Sequence, residues 1–374
     1  MRYVFLTPLL TFELKGFKNS HSFLYKVMLK DLLLQFGLIE DKCEITKFGT
    51  GLINHTWVID AGDKKYILQR INHHVFKQPE IIDQNTANLR LFLNKFYPDY
   101  LFVAALPNLE GKSLIETEDG YFRLFHFVDG SVTINTVENE EQAFEAAKQF
   151  GKFTNLLSDF NLQNLGITLP DFHNLTLRFK QFEDAVSNGN KERIQETQAS
   201  IDQLYQLKDI VNTYESIINE NLIPLRVIHH DTKISNVLFD EYGKGLCVID
   251  LDTVMPGYFI SDVGDMMRTY LSPANEEEQD LSKINIRLDM FGAIYNGYMS
   301  ELADKLTDKE KELFIYSGKF LIYMQALRFL TDYLNNDIYY GAAYSKHNLS
   351  RANNQIKLLK EYIAAEPDFR KMIG

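Results

Sequence analysis

Two cysteines in 374 residues, Cys43 and Cys247, leave no basis for a disulfide framework, and Cys247 falls in an apolar run that reads as a buried strand. Basic residues are also scarce, 39 Lys and Arg against 51 Asp and Glu. The formal net charge of −12 argues against a nucleic-acid partner, whose recognition rests on cations neutralising phosphates. No apolar run approaches the roughly 20 residues that span a bilayer, so no membrane partner is expected. The apolar patch Val4–Leu10 contains Pro8 and is followed by Glu13, Lys15 and Lys18, without a signal-peptide core or a small-residue cleavage site. The expected location is cytoplasmic. Internal repeats and low-complexity tracts are lacking too. What is present is 45% hydrophobic and 13% aromatic residues, enough for a large core, in a chain long enough for two domains.

Along the chain the hydrophobic period changes. Apolar residues at 24, 27, 28, 32 and 36 predict a helix over Phe23–Phe36 that Gly37 stops. A strand-rich tract follows: Glu44–Phe48, Thr56–Ala61, a Gly62-Asp63 turn and Lys65–Ile71. A helix is predicted over about 79–96, then strands at Leu101–Ala105, Ser113–Glu116 and, after an Asp119-Gly120 turn, Tyr121–Phe127. From Asn139 the pattern is helical, with Ala143, Ala146, Phe150, Phe153, Leu157 and Phe160 on one face. Further helices are predicted over roughly 190–220, 275–305, 308–335 and 348–364. The fold class expected is α+β in two lobes. Residues 1–127, with the N-terminal helix, would form a small antiparallel-sheet lobe for nucleotide, and 128–374 a larger, mostly helical lobe carrying the catalytic loop and substrate site.

The chemistry is concentrated in Val227–Asp240, which reads VIHHDTKISNVLFD, and in Cys247–Asp252, CVIDLD. An Asp, an Asn five residues on, and a second Asp at the end of a short apolar strand form the catalytic-loop and metal-ligand spacing of kinase-like phosphotransferases. Asp231 is the candidate catalytic base, and Asn236 and Asp250 the candidate Mg²⁺ ligands. Val237–Phe239 and Leu246–Ile249 bracket a Glu241–Gly243 turn, so a hairpin would bring the loop and Asp250 together. His229 reads as a structural histidine. Lys233 either reaches the γ-phosphate of ATP or is solvated.

Gly49, Thr50, Gly51 and Asn54 lie between two strands as a candidate phosphate loop, although Asn54 stands where a third glycine would complete G-x-G-x-x-G. Arg70, on one strand face with Leu68, is a candidate phosphate-facing cation with Glu80 or Asp83 as its acid partner. Phe125 and Phe127 are assigned to the nucleotide side. Asp262 and Asp265 either accept catalytic-loop amides or cap the following helix. Arg328 and Asp332, at i and i+4 in the poorer order for an intrahelical pair, are candidate substrate contacts.

These stretches resemble the aminoglycoside phosphotransferase/choline kinase-like superfamily and, within it, the N-acetylhexosamine 1-kinases. The resemblance rests on FGTGLIN (48–54), YILQRIN (66–72), the catalytic loop, VIDLDTVMPG (248–257), DVGDMMR (262–268), RFLTDYL (328–334) and HNLSR (347–351). It implies a kinase-like fold and ATP- and Mg²⁺-dependent phosphorylation of the anomeric hydroxyl of N-acetylglucosamine or N-acetylgalactosamine, with Arg328 on the sugar. Two other readings stay open: a kinase for another hydroxylated small molecule such as an aminoglycoside, choline or an amino alcohol, and an inactive nucleotide-binding scaffold. A protein kinase is disfavoured, because no D-F-G or A-P-E follows Asp250.

Overall fold

The computed structural model describes residues 29, 31–39, 42–48 and 54–374. The chain folds as two compact units, one made of the described residues up to Asn72 with Ala105–Phe127, the other of His73–Ala104 with Val128–Gly374. The first unit is built on a five-stranded antiparallel sheet in the order β1-β2-β3-β5-β4. Its strands are β1 (Glu44–Lys47), β2 (His55–Asp60), β3 (Lys65–Ile71), β4 (Ile115–Thr117) and β5 (Gly120–His126). The β2–β3 hairpin closes where Asp60 accepts the Gly62 amide at 2.9 Å and Gly62 takes a φ of 89°, which a side chain would resist. Described residues of the predicted first helix, 31–35, are helical. That helix ends in a Schellman motif: Leu38 N donates to Leu33 O, and Gly37 N, at φ 74°, to Leu34 O. Leu29, Leu32 and Leu33 share a core with Trp57, Ile59, Leu68, Phe122 and Leu124. Leu101–Ala105, predicted as a strand, is irregular.

The second unit is helical apart from two small sheets, β7 (Arg226–Ile228) with β10 (Met255–Gly257), and β6 (Val132–Thr133) with β8 (Val237–Phe239) and β9 (Gly245–Val248). Cys247 on β9 pairs with Leu238, is wholly buried, and has its thiol pushed up to about 12 by burial. Residues 73–104 belong to this unit, whereas 1–127 was expected as one lobe. The cause is the Pro79–Phe96 helix: Leu89 and Leu93 enter the large core, and buried Asn85 donates to Gly166 O and Val254 O.

The predicted helix over 190–220 is three helices, Lys191–Glu196, Gln198–Gln206 and Asp209–Asn219. That over 275–305 is helical as Leu288–Leu302, and that over 348–364 runs His347–Ile373 through Pro367. Leu175–Asn188 is a helix the periodicity did not single out. The central Phe314–Leu334 helix is buried nearly all round. The Phe259–Tyr270 helix packs closely on it because residue 264 is glycine: a Cβ there would meet Ser317 O at 2.4 Å. No helix among the described residues is long and apolar enough to cross a membrane.

Candidate active site

Strand β7 leads into a loop whose backbone amides are pinned one after another by side chains. Asp262 accepts His229 N at 3.0 Å with one carboxylate oxygen and His230 N at 2.7 Å with the other. Asp231 N donates to His229 Nδ1 at 3.4 Å, and Asp265 accepts Thr232 N at 2.8 Å. Tyr270 donates to Thr232 O at 2.5 Å, and Thr232 donates to Asp262 O at 2.8 Å. Both open readings of Asp262 and Asp265 resolve toward the loop, since neither caps the helix that carries them.

Two imidazoles support this loop. His229 Nε2 lies 2.9 Å from Ile249 O, and its Nδ1 faces the Asp231 amide, an arrangement that requires the neutral tautomer protonated at Nε2. Burial holds its pKa below the ordinary value against the pull of Asp231, so the structural reading of His229 holds. His230 takes a left-handed φ of 66° and lies 3.1 Å from Thr253 O through Nδ1. Burial lowers its pKa to about 4. The ring fits because residue 257 is glycine, where a Cβ would lie 2.4 Å from His230 Nε2.

Asp231 is half-buried, and Lys233 Nζ stands 3.2 Å from its carboxylate. Asp231, then Asp250 and Asp265, raise the Lys233 pKa, so the cation lies among the acidic groups rather than away from them. Asn236 donates its amide to Asp231 O at 2.9 Å. Ladder pairing of Val237 with Val248, continued by Ile249 N to Asn236 O at 2.9 Å, brings Asn236 beside the residue preceding Asp250. Asp250 is exposed and holds a left-handed φ of 60°, a strained conformation for a residue that is not glycine. The hairpin expected from the sequence thus collects Asp231, Lys233, Asn236 and Asp250.

Next to His230 lies a run of rings ending in an arginine. His173 meets His230 edge-on at 5.4 Å and stacks on Phe172 at 4.4 Å. Arg328 lies over Phe172, Tyr339 and Tyr340 at 5.7, 5.9 and 5.5 Å. Its Nη1 donates to Gln325 Oε1 at 3.2 Å. Burial and then Arg328 lower the pKa of Arg178, so two guanidiniums are neighbours. Asp332, the other candidate substrate residue, is buried on the same helix. Its oxygens accept Tyr339 N at 2.7 Å, Tyr340 N at 2.9 Å and the Asn348 amide at 3.1 Å, which uses the carboxylate to hold the loop after the helix.

The nucleotide-side candidates other than Lys233 belong to the first unit. Gly49, Thr50 and Gly51 lie outside the described residues. Asn54 accepts Asn72 N at 3.0 Å and so ties the two chain ends of the β2–β3 hairpin. Arg70 is half-buried on β3 opposite His55 and Phe122. Phe125 pairs with Ile67 and lies 5.2 Å under the Arg123 guanidinium, and Phe127 N donates to Lys65 O.

A model of the phosphotransferase enzyme family, the aminoglycoside phosphotransferase type, matches residues 44–290. The chain belongs to this phosphotransferase family. Solved structures share its fold. Spectinomycin phosphotransferase, crystallised with ADP and spectinomycin, is 14% identical with a TM-score of 0.59, covering 91% of this chain and 98% of its own. A choline kinase from Cryptosporidium parvum is 14% identical with a TM-score of 0.53, covering 93% and 100%. A microcompartment-associated aminopropanol kinase is 15% identical with a TM-score of 0.57, covering 92% and 98%. The kinase-like fold expected from the catalytic loop is therefore the fold of this phosphotransferase.

Several residues of the site escaped the sequence reading. Phe172, His173 and Arg178 follow a proline-containing stretch with no motif of their own, and nothing local marks them. Arg268 and Arg351 end the DVGDMMR and HNLSR stretches without having been given a role. Glu276 sits in an acidic run that reads as solvated surface, yet it pairs with both arginines.

Proposed function

We propose that this phosphotransferase is an ATP- and Mg²⁺-dependent small-molecule kinase acting on the anomeric hydroxyl of an N-acetylhexosamine. The observation that carries the kinase reading is the pinning of consecutive amides from His229 to Thr232, which presents the Asp231 carboxylate on a rigid loop. Asp231 accepts the acceptor hydroxyl proton. Lys233, already drawn to Asp231, donates to the transferring phosphoryl group. Asn236 and Asp250 supply an all-oxygen donor pair that suits Mg²⁺, an ion usually held by one or two protein oxygens together with phosphates and water. When bound, Mg²⁺ neutralises charge on the phosphates. Relatives crystallised with ADP support a nucleotide as phosphoryl donor.

The choice of a sugar over a cationic acceptor rests on Arg328. An aromatic cage of the kind that holds a quaternary ammonium is filled here by the chain's own guanidinium, with Arg178 beside it. Among the described residues no carboxylate forms an ion pair with either arginine. A positive patch of this kind repels an aminoglycoside or choline and suits an uncharged polyhydroxyl with carbonyl and hydroxyl acceptors. The test is ATP consumption across N-acetylhexosamines, their methyl glycosides, choline, aminopropanol and aminoglycosides, with phosphorus NMR of the product. Phosphorylation at C1, with an inert methyl glycoside, is expected. Coupling of the phosphorus to a C6 proton, or turnover of choline alone, refutes the sugar 1-kinase reading.

A further inference from the structure

A line of alternating charges runs from the catalytic loop to the Arg328 cage. Asp265, which holds Thr232 N, accepts Arg268 Nε at 3.1 Å and Nη2 at 2.9 Å on its other oxygen. The remaining guanidinium nitrogen, Arg268 Nη1, donates to Glu276 Oε2 at 2.6 Å. The other oxygen of Glu276 accepts Arg351 Nη2. Arg351 lies over Phe329 at 3.8 Å and over Tyr340 at 5.3 Å. Gln325 donates to Tyr340 Oη at 3.4 Å and accepts Arg328 Nη1 at 3.2 Å.

Glu276 is the one acid in this line that faces two arginines from different elements, Arg268 on the Phe259–Tyr270 helix and Arg351 on the His347–Ile373 helix. A guanidinium is planar and its donors are fixed in a fork, so fixing Nη1 also fixes how Nε and Nη2 meet Asp265. Without the Glu276 charge, Arg268 keeps Asp265 and Arg351 keeps only the half-exposed Glu277, at 3.1 Å from its Nε, and the two guanidiniums face each other across a neutral group. The segment bearing Glu276 is a loop fastened to the last helix by side chains: Asn354 donates to Asn275 O and Glu278 O, and His347 pairs with Glu277.

We infer that Glu276 is a positioning residue that couples the acceptor side of the site to the catalytic loop, so that the Arg328 cage and Asp231 are set as one unit. The coupling rests on the roles proposed above for Asp231 and Arg328. A buried ion network that only holds the fold would lower stability without linking these two places, and the experiment must separate the two.

Glu276→Gln keeps the side-chain shape and removes the charge, and Arg268→Lys keeps the charge and removes the fork. Each is compared with wild type by amide-exchange mass spectrometry and, with ATP and whichever acceptor the panel identifies, by steady-state kinetics. Exchange is expected to rise by about tenfold in peptides spanning 229–236 and 337–342 and to stay unchanged in 201–206. The kcat should fall by about tenfold with KM for ATP within about twofold of wild type. In a cycle with Arg328→Ala, the double variant should lose at least about threefold less than the product of the single losses. Unchanged exchange at 229–236, a rise spread evenly to 201–206, or multiplicative losses would each overturn the coupling. If wild type phosphorylates no acceptor, the sugar-kinase reading falls, and the exchange measurement alone still decides the coupling for or against.

Discussion

Replacing Asp262 tests whether the loop is held as described. Its carboxylate satisfies two consecutive buried amides, those of His229 and His230, at 3.0 and 2.7 Å. Asp262→Ala leaves both without an acceptor, and an unsatisfied buried donor costs about 1–3 kcal/mol, so the loss should be about 2–6 kcal/mol. Asp262→Asn retains one acceptor and turns an NH₂ group toward the other amide, for a loss of about 1–3 kcal/mol. Against a total stability of about 5–15 kcal/mol, the alanine variant loses a large share and stays folded unless both extremes coincide. Burial pushes the Asp262 carboxyl up to about 7 from 3.8, against the two amides that lower it. Because the folded-state value is raised, the native carboxyl contributes fully below pH 4 and loses that contribution as pH rises to 7. The gap between wild type and Asp262→Asn should therefore narrow from pH 5 to pH 8, by at most about 1.4 kcal/mol per unit. Urea titrations at both pH values measure it. A gap that widens from pH 5 toward pH 8 refutes the reasoning.

Asp231→Asn should lower kcat by about 10²-fold or more with ATP binding retained, because an amide cannot accept the hydroxyl proton, and isothermal titration with stopped turnover assays checks both halves. Gly264→Ala should cost about 1–3 kcal/mol or more in urea denaturation, since the added methyl meets a backbone oxygen at 2.4 Å and not a movable side-chain end. Arg328→Ala should raise KM for acceptor while leaving KM for ATP within about twofold, read from initial rates. His230 is held neutral down to about pH 4 by burial, whereas the unfolded chain takes up its proton near 6.5. Stability from this group is thus lost as pH falls between those values. His230→Gln should show a flatter urea midpoint than wild type across that window, and parallel curves would contradict the assignment.

Much of this site could be read from the sequence because its spacing is local. Asp231 and Asn236 are five residues apart, and a short hairpin is enough to bring Asp250 to them. The sheet strands were legible for the same reason, with turn residues between alternating runs. Asp262 and Asp265 were ambiguous, because capping a helix and pinning a loop more than 30 residues away ask for the same residue type. Asp332 was singled out by its i, i+4 spacing from Arg328, but its hold on the amides of Tyr339 and Tyr340 could not be read from that spacing. Phe172, His173 and Arg178 could not be found, since only tertiary packing brings them beside His230 and Arg328. The stretch Leu101–Ala105 is irregular where a strand was predicted, because apolar character alone does not specify a strand.

Cys247 makes the hairpin that unites Asn236 and Asp250 its own reporter. A thiol with no solvent exposure and its proton held up to about 12 cannot react with a disulfide reagent until β9 leaves β8. At high reagent concentration the labelling rate becomes the opening rate of that hairpin, and at low concentration it gives the open population. With Cys43 changed to serine, one absorbance trace would time the departure of Asp250 from Asn236 in the native protein, with no probe added to the chain.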